Sequence, residues 1–322
     1  LRDFSFGRRP KDFPSGSGHH VHDLLAKGLA ECGHEVLYML PSEPVAPLPD
    51  GCRWVPAPDA SADIHHTHGV HSAEVIAYMK DLGRPSLSTC HLDRHTRPEQ
   101  WSIRRRWIYV SRSLAATHGS SRYVLNGLDP ANYTYSAAKA DYFLFMSVAE
   151  RARQKGLETA FRLARRAGLR LIVAGTGCSY SAIREIESAC RENGAEYVGD
   201  VQGSEKADLL AGARAMLFPT LMNEAFGLVM VEALLSGTPV ICSDKGACPE
   251  VIDASVGCVC TDWGDYLAAL GRLPEIRPED CRAFAVSRFH YRRMTSDYLR
   301  EYEAEIAADP NQVVEEACTI AS

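Results

Sequence analysis

The chain has 322 residues, 46% of them hydrophobic and 24% charged, which predicts a large packed core in two domains of ordinary size and excludes disorder. A formal net charge of −6 removes any whole-protein case for binding nucleic acid. No apolar run reaches the length of a membrane span, and Leu1-Arg-Asp-Phe-Ser-Phe6 lacks the hydrophobic core of a secretory signal, so a cytoplasmic protein is expected. The 11 cysteines are odd in number and scattered, with no Cys-x-x-Cys, so buried reduced thiols are expected rather than a disulfide framework. Cys258-Val-Cys260 resembles a metal half-site, with no second half nearby.

In chain order, short apolar runs alternate with helical patterns, as in parallel α/β proteins. Residues 1–18 do not read as the buried strand that opens a doubly wound domain. Either that strand is missing from this chain or Phe4–Phe6 supplies a poor substitute. A helix over 22–31 carries Leu24, Leu25 and Leu29 and ends at Gly33; a strand follows over 35–40. Residues 62–68 read as a strand entering a loop, with a helix near 72–82. Further strands are expected over 86–90, 107–111 and 122–125, the last ending in Asn126-Gly127. The second half repeats the theme: strand 142–146, helix 157–167, then the near-continuous apolar strand 169–174 of a sheet buried on both faces, ending in Gly175-Thr-Gly177. Helix 181–193, strand 196–198, helix 206–213, strand 215–218, helix 228–236 and strand 239–242 follow. The polar, turn-rich stretch 129–140 marks the boundary. The expected organisation is a first domain over 1–135, a second over 136–288, a final helix over 289–308 and a loose tail over 309–322.

The most informative segment is Glu224-Ala-Phe-Gly-Leu-Val-Met-Val-Glu232, followed by Ala-Leu-Leu-Ser-Gly-Thr-Pro-Val240. Gly227 relaxes the backbone at a turn. The helix beginning there aims free N–H groups back toward Glu224, which makes an anion site. Glu232 sits roughly 7–8 Å along that helix. Such an element can hold a neutral polar group, a phosphate and a hydroxylated ring, the three parts of a nucleotide-sugar in order.

With these residues in view, the chain resembles the retaining glycosyltransferases of family 4, which have the GT-B fold. Glu224 and Glu232 match that family's paired glutamates, and Gly237-Thr-Pro-Val240 and Gly246…Glu250-Val-Ile252 continue the block. Gly33-His-Glu-Val36 and Asn126-Gly-Leu-Asp129 match weaker pieces upstream. The resemblance implies an α/β fold of two Rossmann-like doubly wound domains facing a cleft. The second domain binds the donor, the first receives the acceptor, and the last helix crosses back to the first.

The resemblance also implies roles. Glu232 holds the ribose hydroxyls as a two-oxygen acceptor; as an unpaired acid in a largely buried helix it would be costly. Glu224 lies at the donor sugar, either as a nucleophile or, in the preferred reading, as an acceptor that orients a ring hydroxyl. The amides of Ala225, Phe226, Gly227, Leu228 and Val229 face sugar and phosphate oxygens. Lys155, before Gly156, supplies a cation to the diphosphate. Where the family shows a Gly-Arg pair this chain has Ser147-Val148, so the partner arginine is Arg151 or Arg153, with Arg151 chosen; an exposed basic loop is the plain alternative. The loop Ser15-Gly-Ser-Gly18, with Gly16 and Gly18, closes over the donor phosphate, and Gly175 belongs to a second glycine turn. His91 contacts the donor sugar, and His66 or His68 lines the acceptor side. A zinc site among His65, His66, His68, His71, His91 and His95 is the weaker reading.

No Asp-x-Asp occurs, in line with metal-independent transfer, and no cofactor is expected. The implied partners are a nucleotide-sugar donor, with a UDP-sugar favoured, and a carbohydrate or small-molecule acceptor. Arg104-Arg-Arg-Trp107 offers the one suggestion of an anionic acceptor or membrane surface, against a plain basic surface. A nucleotide-sugar epimerase and a catalytically silent nucleotide-sugar-binding module stay open as alternatives. A solute-binding protein is disfavoured by the lack of an export signal.

Overall fold

A computed structural model describes residues 2–4, 18–39, 43–44, 47–56, 59, 61–68, 85–91, 107–175, 177 and 179–308. The chain divides into two compact units. One holds the described residues up to Gly127 together with those from Tyr291 onward; the other is built on the continuous stretch Leu128–His290.

The first unit contains β1 (Arg2–Phe4), α1 (Gly18–Glu31), β2 (Val36–Met39), β3 (Cys52–Val55), β4 (His65–His68), β5 (Ser86–Cys90), β6 (Trp107–Tyr109) and α2 (Arg112–Thr117). Every strand pairing is parallel, in the order β3-β2-β1-β4-β5-β6. The opening strand is therefore present at Arg2–Phe4, ahead of the expected Phe4–Phe6. Arg2 pairs with both Leu37 and His65, so the ladders on either side hold a segment whose composition is poor for a strand. The last helix, α10 (Tyr291–Ala307), belongs to this unit. Its Tyr291 hydroxyl donates to Glu31 at 2.9 Å, beside Arg292 at 2.9 Å from the same carboxylate.

The second unit runs β7 (Phe143–Met146), α3 (Leu157–Ala167), β8 (Leu171–Ala174), α4 (Tyr180–Asn193), β9 (Glu196–Gly199), α5 (Gly203–Gly212), β10 (Ala215–Phe218), α6 (Leu228–Leu235), β11 (Val240–Ser243), α7 (Cys248–Val251), β12 (Gly257–Cys260), α8 (Trp263–Arg272) and α9 (Pro278–Phe289). Its sheet is again wholly parallel, in the order β12-β11-β10-β7-β8-β9. Counted from the first strand of each unit, both sheets read 3-2-1-4-5-6, the doubly wound order. Helices must cover both faces, so the central strands carry apolar residues throughout: Leu171–Ala174 and Ala215–Phe218 are buried along their whole length. On α3, Leu157, Ala160, Phe161 and Ala164 form one buried stripe, and left-handed Gly156 and Gly168 bound the helix.

Several expectations need correction. The strand over 122–125 is reduced to a bridge between Tyr109 and Tyr123. The expected final helix begins at Tyr291, because His290 is extended and separates it from α9. The strands β3 and β12 and the helices α2, α7, α8 and α9 are not evident in the sequence pattern. The second unit starts at Leu128 rather than 136 because the intervening segment belongs to it. Arg282 donates to the carbonyls of Pro130, at 3.1 Å, and Tyr133, at 3.3 Å. The helix near 72–82 and the tail over 309–322 lie outside the described residues.

Candidate active site

In a doubly wound sheet the ligand crevice lies beyond the carboxyl ends of the two strands at which the winding reverses. In the second unit these are the neighbours β7 and β10. The loop after β7 carries Lys155 and the loop after β10 carries Glu224, and the two side chains form an ion pair. Both are largely sequestered, with side chains 17% and 12% exposed. The ammonium of Lys155 also lies 5.3 Å from the centre of the Phe218 ring, at the end of β10.

The backbone around Glu224 is fixed from two sides. Ala247 N–H donates to the Glu224 carbonyl at 2.8 Å. Gly246 has φ +59°, and a Cβ there would lie 2.3 Å from both Glu224 N and O, so only glycine lets the two loops meet. Gly227, at φ +84°, begins α6 with no side chain capping it. Leu228 and Val229 therefore present first-turn N–H groups at a helix start with no side-chain cap.

Glu232, in the second turn of α6, is 1% exposed. An acid so buried would be costly if unpaired, and it has partners. Lys206 of α5 places Nζ 2.9 Å from Oε1 and 2.9 Å from Oε2, and the Tyr133 hydroxyl donates to Oε1 at 3.3 Å. Burial first, and the Glu232 charge second, raise the Tyr133 phenol well above its ordinary pKa, so it remains a donor at neutral pH. Lys206 and Tyr133 escaped the sequence reading. Lys206 fell inside a helix with no motif around it, and Tyr133 was assigned to the boundary segment.

The profile of the family described as glycosyl transferases group 1 matches residues 140–275, which hold Lys155, Lys206, Glu224 and Glu232. A phosphatidyl-myo-inositol mannosyltransferase of Mycolicibacterium smegmatis is 25% identical over 319 residues, covering 80% of each chain. A D-inositol 3-phosphate glycosyltransferase of Saccharomonospora viridis is 32% identical over 114 residues, which span 33% of this chain and only 26% of the relative. Among solved structures, AviGT4, a glycosyltransferase involved in avilamycin A biosynthesis, superposes with a TM-score of 0.72 at 27% identity, covering 90% of both chains. Anabaena Alr3699/HepE, solved in complex with UDP, shares the fold at a TM-score of 0.70 and 15% identity, covering 94% of this chain and 98% of its own. The chain has the GT-B fold, and its residues 140–275 match the group 1 glycosyl transferases.

In this GT-B chain the remaining candidates fall into three groups. Arg151 and Arg153 are both exposed in the loop after β7, and Lys155 N–H donates to the Arg151 carbonyl at 2.8 Å. Gly175 follows β8, its N–H donating to Gly199 at 2.8 Å and its Cα pressed against the Ser147 carbonyl. The histidines belong to the first unit. His68 Nδ1 lies 3.1 Å from His91 Nε2, and the His68 ring stacks between those of His22 and His66, with centroids 3.9 and 4.3 Å away. His66 is buried, and its two nitrogens are engaged by Tyr302 and Thr89, each at 2.7 Å. Among the described residues no group of three or more His, Cys, Asp or Glu could hold a metal ion. Gly18 opens α1, whereas Gly16, His71, His95 and Arg104–Arg106 lie outside the described residues. No described helix is long and apolar enough to cross a membrane.

Proposed function

We propose that the chain is a family 4, retaining, metal-independent glycosyltransferase that moves a hexose from a nucleotide-diphospho-sugar to an acceptor hydroxyl in the cytoplasm. The observation that carries this reading is the joining of Lys155 to Glu224 at the winding reversal, beside the uncapped start of α6. A cation and a set of amides are thus fixed where a diphosphate would depart, and fixed donors stabilise developing charge without reorganising. The acceptor oxygen forms its bond to the anomeric carbon on the face from which the diphosphate leaves. As that bond forms, the bond from the anomeric carbon to the phosphate oxygen breaks, and its electron pair leaves with the nucleoside diphosphate. The acceptor proton passes to a phosphate oxygen. Lys155, assisted by Arg151, offsets the charge gained by the leaving group, while Glu224 orients a ring hydroxyl of the sugar. Glu232 accepts from the ribose, and Gly175 lets backbone approach the phosphates.

A UDP-sugar is the favoured donor, a choice supported by the UDP bound to HepE. A thermal-shift panel of UDP-, GDP-, dTDP- and ADP-sugars identifies it, because a ligand bound only by the folded state raises Tm. The product's anomeric configuration then tests retention. Inversion, or turnover undiminished in Glu224→Ala, overturns the proposal.

A further inference from the structure

We propose that Lys206 and Tyr133 are positioning residues that lock the Glu232 carboxylate, and that this lock sets how strongly the chain prefers ribose to 2′-deoxyribose in its nucleotide. The inference rests on the ribose-binding role proposed for Glu232. It begins from a property of the acid itself: Glu232 is 1% exposed, and a buried carboxylate keeps its charge only with a counter-charge and satisfied lone pairs. Lys206 supplies the charge from α5, its side chain 14% exposed. The division of contacts between the two oxygens matters most. Oε1 accepts from both Lys206, at 2.9 Å, and Tyr133, at 3.3 Å, which fills its usual capacity of two. Oε2 has the Lys206 ammonium 2.9 Å away, which leaves one of its two acceptor positions for a hydroxyl.

The two anchoring donors come from different elements, and each is itself held. Lys206 lies in the first turns of α5. Tyr133 follows a short turn whose Asp129 side chain accepts from Ala131 at 3.0 Å, and its own carbonyl accepts from Arg282 at 3.3 Å. Rotation of the carboxylate about its last torsion would break both bonds to Oε1 at once. Glu232 therefore meets a ribose hydroxyl with a pre-set Oε2, and little ordering remains to oppose the contact. Without Lys206 the acid would turn freely, and its acceptor would no longer be aimed at the hydroxyl.

The experiment measures dissociation constants for UDP with 2′-deoxy-UDP, and for GDP with 2′-deoxy-GDP, using wild type, Lys206→Met, Lys206→Arg, Tyr133→Phe and Glu232→Gln. Wild type should prefer the ribonucleotide of the bound pair by about tenfold or more. Lys206→Met should reduce that preference to within about twofold by weakening the ribonucleotide alone, and Lys206→Arg should restore most of it. Tyr133→Phe, which removes one oxygen and preserves shape, should lower it by about threefold. In turnover, the donor KM should rise with kcat at saturation unchanged, as for a contact equally present before and during reaction. Equal weakening of both nucleotides in Lys206→Met, or an unmoved preference in Tyr133→Phe and Lys206→Arg, overturns the proposal. Should Lys206→Met fail to fold, the other two variants decide alone. No preference in wild type, together with an unchanged constant in Glu232→Gln, instead removes the ribose role of Glu232 itself.

Discussion

The two sheets share one strand order, yet they bury opposite kinds of residue. In the second unit the central strands are apolar, and charge is confined to the loops and helices beyond them, as lysine–glutamate pairs. In the first unit polarity enters the sheet itself. The strand His65–His68 is buried or nearly so, and with its neighbour β5 it carries a side-chain hydrogen-bond network: His66 with Tyr302 and Thr89, Thr67 with Ser88, and Thr89 with Tyr298, all at 2.7 Å. One topology therefore accommodates two solutions. Charges paired at the rim leave a sheet that any apolar set can fill. Polar groups inside demand that every partner be present, and they define a single arrangement.

Substitutions in each unit break this contrast to different degrees. The largest effect is expected for Lys206→Met, which strands a buried carboxylate and should cost about 3–5 kcal/mol in urea unfolding. A loss below about 1 kcal/mol would mean that Glu232 is solvated in solution. Glu224→Ala should reduce transfer by roughly 100-fold through misorientation of the sugar, with a loss of stability smaller than that of Lys206→Met because the Lys155 side chain is 17% exposed. In the first unit Thr89→Val removes a hydroxyl shared by His66 and Tyr298, and it should cost about 1–3 kcal/mol. Loss of this one hydroxyl should stay below the cost of a stranded carboxylate, and equality of the two would erase the distinction.

A smaller effect is expected at Lys139, which donates to the Ala211 carbonyl at 2.8 Å and to Thr238 at 2.9 Å. Burial lowers its ammonium to about 8. The unfolded chain therefore holds that proton more tightly, and between about pH 8 and the ordinary lysine value near 10.4 wild type should gain stability relative to Lys139→Met. A difference that stays flat across that window would count against the shift. The smallest effect is expected at the surface pair of Arg53 and Glu35, 3.0 Å apart and exposed, where Arg53→Ala should change stability by less than about 0.5 kcal/mol.

Legibility followed the same contrast. Apolar runs such as Leu171–Ala174 declare a buried parallel strand directly, and the second unit was read almost strand for strand as far as β11. Arg2–Phe4 was illegible because two neighbouring ladders, rather than its own side chains, make it a strand. On α9 the buried positions are Cys281, Ala285 and Phe289, two of them small, so the helix announces itself weakly. The acids of the site were readable because they lie in one contiguous motif. The lysine that holds Glu232 was not, since it stands 26 positions away and the fold alone brings it there.

The second unit also begins and finishes at touching residues. Leu128 and His290 form a parallel bridge, and Leu128 N–H donates to the Phe289 carbonyl at 2.7 Å. A segment whose ends meet in this way has the anatomy of an insertable cassette. Recombination at those two neighbouring points would transplant all of residues 128–290 without severing a single strand of either sheet.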